Sequence, residues 1–208
     1  MKILNIYAGI GGNRKLWGNE HEITAVEYDN ATADVYSKYF PDDKMIITDA
    51  HAYLLENYMN YDFIWASPPC STHSDIRRCG VNAGQYEALY PEMSLYQEII
   101  LLKHFSPINT KFVIENVKPF YEPLIQPDAV IHRHFYWCNF KIHPYHVSSE
   151  RKHMGIISNS IVYDFDISES NISDKRKALR NMVDPELGLH ILNCALEKQD
   201  PVNFGLFE

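Results

Sequence analysis

A chain of 208 residues is long enough for one α/β domain with a full hydrophobic core and too short for a second large one. Its 46% hydrophobic and 22% charged residues are those of a globular protein, and no apolar run approaches the roughly 20 residues that span a bilayer, so a soluble cytoplasmic protein without a membrane partner is expected. The net charge of -8 argues against a broadly basic nucleic-acid-binding surface, because counterion release needs positive charge, and leaves that role to local clusters. The four cysteines, at 70, 79, 138 and 194, form no CxxC pair and read as reduced thiols rather than disulfides.

Along the chain, MKILNIYAGIGG has no signal-peptide apolar region and reads as a strand entering a glycine turn, where strand passes to helix. Apolar runs at Ile3 to Tyr7, Ile23 to Val26, Met45 to Ile47, Phe63 to Ala66 and Phe112 to Ile114 have the length of buried strands. Helices are predicted over Ala31 to Tyr39, Ala50 to Tyr58 and Ser94 to Phe105, the last with Leu95, Ile99, Leu102 and Phe105 near one face. This βαβ series predicts an α/β fold, a doubly wound and mostly parallel sheet with ligands at the carboxyl ends of its strands. After about residue 128, aromatic and β-branched residues predict antiparallel strands. The weakly periodic stretch 141–174 reads as a small insertion into a domain formed by 1–140 and 175–208, and a final helix runs from Pro185 to Glu197 with Asp184 as its cap.

Three strand ends converge on one candidate nucleoside site. The turn Tyr7-Ala8-Gly9-Ile10-Gly11-Gly12 lets a ligand approach the backbone closely. Glu27 and Asp29, 18 and 20 residues after Gly9, are placed to bind ribose hydroxyls, and Asp49 ends the third strand, suited to an adenine amino group. The GxGG pattern departs from GxGxxG and favours a cofactor without a pyrophosphate, although a dinucleotide site would show a similar turn and acid.

The fourth strand ends in Ser67-Pro68-Pro69-Cys70-Ser71, whose prolines fix the backbone ahead of a thiol. Phe112-Val113-Ile114-Glu115-Asn116-Val117 puts a carboxyl group at the end of the next strand. A lone cysteine is more often inert and buried, so the pairing carries the signal.

Together these residues resemble the DNA cytosine C5-methyltransferase family. The resemblance rests on the YAGIGG turn, Glu27, Asp49, PPC at 68 to 70, ENV at 115 to 117, Arg133 before HFYW, and Asn181 with Pro185, in the family's order. It implies a Rossmann-like, S-adenosylmethionine-dependent fold with a minimal target-recognition insertion. It also implies transfer of a methyl group to C5 of cytosine in double-stranded DNA, with S-adenosylhomocysteine as product and the target base flipped out of the helix. By that resemblance Cys70 attacks C6, Glu115 activates the base and Arg133 holds its O2 side. The cofactor meets Tyr7, Ala8, Gly9, Ile10, Gly11, Gly12, Glu27, Tyr28, Asp49, Ala50 and Pro68, and Asn181 folds back beside the first turn.

Asn5 replaces an acid common in the family, Tyr7 a Phe and Ser71 a Gln, as in divergent phage-like enzymes of restriction or self-protection in a bacterial or phage-infected cell. Only about 35 residues stand where the family carries a recognition domain, which predicts a short target site read with Lys141, His143, His146, Arg151, Lys152 and His153. The loop from Ser71 to about Pro91 brings Arg77 and Arg78 toward phosphates. The oligomeric state is not written in the sequence, and a monomer is favoured.

Four alternatives remain at this stage: C5-methylation of tRNA or a free nucleotide; an amino-methyltransferase, which needs no thiol; an inactive DNA-binding homologue; and a zinc site at Cys70, His73 and Cys79. The last lacks a clear fourth ligand, and no metal is expected.

Overall fold

The apolar runs fold as five parallel strands, β1 (Lys2–Ile6), β2 (Glu22–Glu27), β3 (Lys44–Ile47), β4 (Phe63–Ala66) and β5 (Lys111–Val117). β7 (His134–Cys138) runs antiparallel to β5 and pairs antiparallel with β6 (Ala129–Ile131). The sheet order is β3-β2-β1-β4-β5-β7-β6. This computed structural model describes residues 1–145 and 165–197.

β1 and β4 are buried on both faces, with Ile3, Leu4, Ile6 and all of Phe63 to Ala66 inaccessible, which is why their sequences are continuous apolar runs rather than alternating ones. Leu54 of α2 (Ala50–Asn57) and Ile99 and Leu102 of α4 (Ser94–Phe105) cover one face, against Leu4, Ile6, Ile64, Phe112 and Ile114. Leu187, Ile191 and Leu192 of α6 (Pro185–Ala195), with Trp17, cover Ile3, Phe63, Trp65 and Val113 on the other. α1 (Asn30–Tyr39) packs with α5 (Lys175–Asn181) and with Phe165, Ile167 and Ile172. The described end of the 141–174 segment is thus packed against α1 of the sheet domain. His146, Arg151, Lys152 and His153 lie outside the described residues.

Carboxylate caps start the helices: Asp29 accepts from the Thr32 N–H, Asp49 from Ala52, Asp174 from Lys177, and Asp184 from Glu186, with Pro185 in the first turn. Two sequence expectations change. No helix follows the glycine turn; residues 11 to 17 run as successive turns, with Arg14 N–H donating to the Gly11 carbonyl and Trp17 N–H to that of Arg14. Trp17 is thereby turned into the core, where its indole N–H donates to the Gly188 carbonyl. The stretch 71–91 is no simple loop but contains α3 (Asp75–Asn82), capped by Ser74. Among the described residues no helix is long and apolar enough to cross a membrane.

Candidate active site

In the order β3-β2-β1-β4-β5 the connections reverse direction between β1 and β4, and a ligand crevice opens outside the carboxyl ends of strands at such a point. The glycine turn leaves β1 on one side of that crevice and Pro68-Pro69-Cys70 leaves β4 on the other.

On the β1–β2 side, Glu27 organises the turn. Its Oε2 accepts from the Gly9 N–H at 2.9 Å, and its Oε1 from Tyr28 and Asp29 at 2.9 and 3.1 Å. Gly9 has φ +57° and a Cβ there would meet nothing within 4 Å, so its backbone faces open space. Gly12 is needed for the opposite reason: a Cβ would run into the Met182 side chain and the Val183 carbonyl. The segment after Asn181 therefore folds back onto the turn, as expected from sequence. Asn181 itself, Tyr28 and Asp49 are exposed at this edge, while Ala8, Ile10, Gly11, Ala50 and Pro68 are buried around it.

On the β4–β5 side, the proline turn is held from both directions. The buried Asn116 donates from Nδ2 to the Pro68 carbonyl at 3.0 Å and accepts from the Val117 N–H, while the Cys70 carbonyl accepts from the N–H groups of His73 and Ser74. Glu115 precedes Asn116 and so points to the other face of the sheet. There it sits over Tyr136, its partner in β7, with 12% of its side chain exposed and no backbone N–H donating to its carboxylate. Desolvation pushes the Glu115 carboxyl up to about 7, opposed only by a hydrogen bond with Ser67. Cys70 lies within reach of that charge. Burial first, and the Glu115 carboxylate second, raise its thiol above the usual value, while Arg180 and Arg133 act to lower it.

The structure adds a residue that sequence reading missed. β6 and β7 are joined by a two-residue turn, His132-Arg133, with His132 at φ +54°. Arg133 is exposed at its tip, and His134, paired with Val117, brings Nε2 to 3.5 Å from Glu115 Oε1. Burial and the neighbouring Arg133 lower His134 to about 4, so at neutral pH this is a contact between a neutral imidazole and the carboxyl group rather than an ion pair. Arg180 reaches this site from the last turn of α5.

Other predicted residues fall outside this cluster. Arg77 donates to the Glu87 carbonyl and lies over the Tyr86 ring, and Arg78 donates to the Phe120 carbonyl and lies over the Phe120 ring. Both guanidinium groups are thus engaged by the protein itself and keep only their remaining N–H groups for a ligand. Lys141 and His143 are exposed beyond β7. Among the described residues Cys70, His73 and Cys79 are not gathered with a further ligand into a metal-holding group; His73 Nδ1 is 2.6 Å from the Tyr121 hydroxyl.

The mostly parallel, Rossmann-like sheet with a crevice at its strand ends defines the class, a methyltransferase. The chain belongs to the C-5 cytosine-specific DNA methylase family, whose model matches residues 1–144. None of the curated proteins gives a significant match. An Entamoeba histolytica methyltransferase shares the fold, with a TM-score of 0.53 at 10% identity over 95% of this chain and 98% of its own. Spodoptera frugiperda DNMT2, in a triple-mutant form, is 26% identical over 57% of this chain, with a TM-score of 0.41. A protein described as a DNA modification methyltransferase encoded within an Escherichia coli prophage is 20% identical over 59%, with a TM-score of 0.38. The chain spans 36% and 33% of the lengths of these last two.

Proposed function

We propose that the protein methylates C5 of cytosine in DNA, with S-adenosylmethionine as donor, Cys70 as nucleophile and Glu115 as the acid that activates the base. The observation that carries this reading is positional: Cys70 follows the proline turn at the end of β4, and Asn116, which ties that turn down at 3.0 Å, comes directly after the largely buried Glu115 in the adjoining β5.

The residues at the β1–β2 edge fit such a donor. Open space before the Gly9 backbone admits it, and Glu27, Tyr28, Asp49, Ala50, Pro68 and Asn181 line the approach. Bound there, S-adenosylmethionine supplies an electrophilic methyl group on a sulfonium.

C5 of cytosine is a poor nucleophile until ring aromaticity is broken. The Cys70 thiol gives its proton to solvent and its sulfur bonds to C6; the C5–C6 π pair shifts to form a C4–C5 double bond, the C4–N3 π pair moves onto N3, and N3 takes a proton from Glu115. A carboxyl group raised to about 7 is half protonated at neutral pH, so it can offer an O–H to N3 while its other oxygen accepts from the exocyclic amine. His134 steadies that carboxyl. The C4–C5 pair then bonds to the methyl carbon as its bond to the sulfonium sulfur breaks, and N3 returns its proton to Glu115; water takes the C5 proton, whose electron pair re-forms the C5–C6 double bond and expels Cys70 as thiolate. In duplex DNA the target base must leave the stack to meet both side chains. Arg133 and Arg180 add positive charge at the mouth, and Lys141, Arg151 and Lys152 are assigned to the DNA.

The charge of -8 favours one other reading, the same chemistry on a small free nucleotide rather than a polymer. Incubation with labelled S-adenosylmethionine and, separately, duplex DNA, tRNA or dCMP, followed by base analysis, tests the proposal. 5-Methylcytosine is expected from duplex DNA; label in tRNA or dCMP alone overturns the DNA assignment, and label on an exocyclic amine overturns the chemistry.

A further inference from the structure

The proposed chemistry leaves one buried acid unused. Glu98 projects from the middle of α4 and is wholly inaccessible. Its Oε1 accepts from the Tyr7 hydroxyl at 2.5 Å and lies 2.9 Å from His51 Nδ1, while Oε2 is buried with no partner. A carboxyl group is costly to bury and is held only where its hydrogen bonds compensate. The three residues come from three elements. Tyr7 opens the glycine turn with φ +56°, a left-handed conformation unfavourable for a tyrosine. His51 stands in the first turn of α2, two residues after Asp49. Tyr7 and Asp49 both belong to the proposed donor site, and Glu98 joins Tyr7 to His51, in the first turn of the helix that Asp49 caps.

We propose that Tyr7, Glu98 and His51 form a positioning network for the cofactor: Glu98 holds Tyr7 in its left-handed conformation, which sets the turn against Glu27, and holds the start of α2, which sets Asp49. This rests on the S-adenosylmethionine reading above. The tyrosine hydroxyl is the part of the network that the resembled family, with Phe here, lacks. His51 is faced by Glu98 from α4, Tyr7 from the turn after β1, Asp49 from its own helix cap and Glu92 from the segment before α4, and the hydrogen bond with Glu98 leads in raising its pKa. A raised histidine contributes fully below its ordinary value near 6.5 and loses its contribution as pH rises through the folded value. The donor site should therefore weaken on the alkaline side.

Titration calorimetry with S-adenosylhomocysteine, alongside thermal melting without ligand, tests this. Removing one hydrogen bond to a buried carboxylate in Tyr7→Phe is expected to raise Kd by about 5- to 20-fold while lowering Tm by only a few degrees, with the protein still folded at the temperature of the titration. Glu98→Gln should act in the same direction. The affinity of the unaltered protein should fall as pH rises above His51's ordinary value near 6.5, and dividing by the values for His51→Asn cancels the ligand's own titration and should expose that fall. Kd within about twofold of the unaltered protein in Tyr7→Phe, or a pH profile unchanged in His51→Asn, overturns the network. Failure of the unaltered protein to bind the ligand at all overturns instead the cofactor reading on which it rests.

Discussion

Glu27 on β2 and Glu115 on β5 stand on the two sides of one crevice and meet opposite fates. Glu27 accepts three backbone N–H groups and serves as a fixed acceptor around which the glycine turn is built. Glu115 has no such donors, only Ser67 and His134 beside it, and desolvation drives its carboxyl up to about 7. The same side chain is thus a scaffold on one side of the crevice and an acid on the other, and the supply of backbone N–H groups decides which. In the proposed function the β1–β2 edge holds a ligand and the β4–β5 edge exchanges a proton with one.

The sharpest way to break this division is at the thiol. Cys70→Ala should reduce 5-methylcytosine formation to background while leaving S-adenosylhomocysteine affinity near that of the unaltered protein, because the sulfur belongs wholly to the reactive edge. Loss of ligand affinity together with activity would show that the two edges are not separate.

Glu115→Gln should lower kcat/KM by about 10^2- to 10^4-fold. It should also stabilise the protein. A carboxyl near 7 when folded and near 4.5 otherwise binds more protons in the native state between those values, so stability falls as pH rises through that window. Chemical denaturation should find the variant more stable by about 1–3 kcal/mol at pH 8, and the difference should vanish by about pH 4. Destabilisation at pH 8 would mean that Glu115 is held as a carboxylate.

On the turn side, Glu27→Gln removes an acceptor shared by three N–H groups and should raise the cofactor Kd about tenfold or more, with a loss of stability of about 1–3 kcal/mol measured by denaturation. It thus reverses the stability effect of the Glu115 substitution. At the hairpin, His134→Ala should lower kcat/KM by about tenfold and Arg133→Ala by about threefold or less, since only His134 reaches Glu115. The reverse ranking would place the hairpin tip, not the start of β7, over the base. The smallest effects are expected at Arg77 and Arg78, where alanine should weaken DNA binding a few-fold and flatten its salt dependence by about one contact each.

The parts of the fold that were legible in the sequence are those fixed locally. Strands buried on both faces must be continuous apolar runs, and Asp184, read as a helix cap, accepts from the Glu186 N–H; Asp29 and Asp49, read only as ligand-binding acids, prove to cap α1 and α2 as well. The start of α3 was readable in the same way from Ser74-Asp75. What stayed hidden depends on register and on distance along the chain. Whether Arg133 or His134 faces Glu115 turns on a hairpin loop of two residues, and a shift of one residue sends each side chain to the other face. Tyr7 finds Glu98 across 91 residues, with no local pattern to signal it. Phe165, Ile167 and Ile172 read as part of a weakly periodic insertion because the helix they pack against, α1, lies more than a hundred residues earlier.

The central claim, a covalent bond from Cys70 to the cytosine ring, is open to direct test with duplex DNA carrying 5-fluorocytosine, whose C5 fluorine cannot leave as a proton does. In the presence of S-adenosylmethionine, intact-mass analysis should show a protein–DNA adduct mapping to Cys70, absent in Cys70→Ala. Methylation of ordinary cytosine with no adduct from the fluorinated base, or an adduct on another residue, would contradict the account.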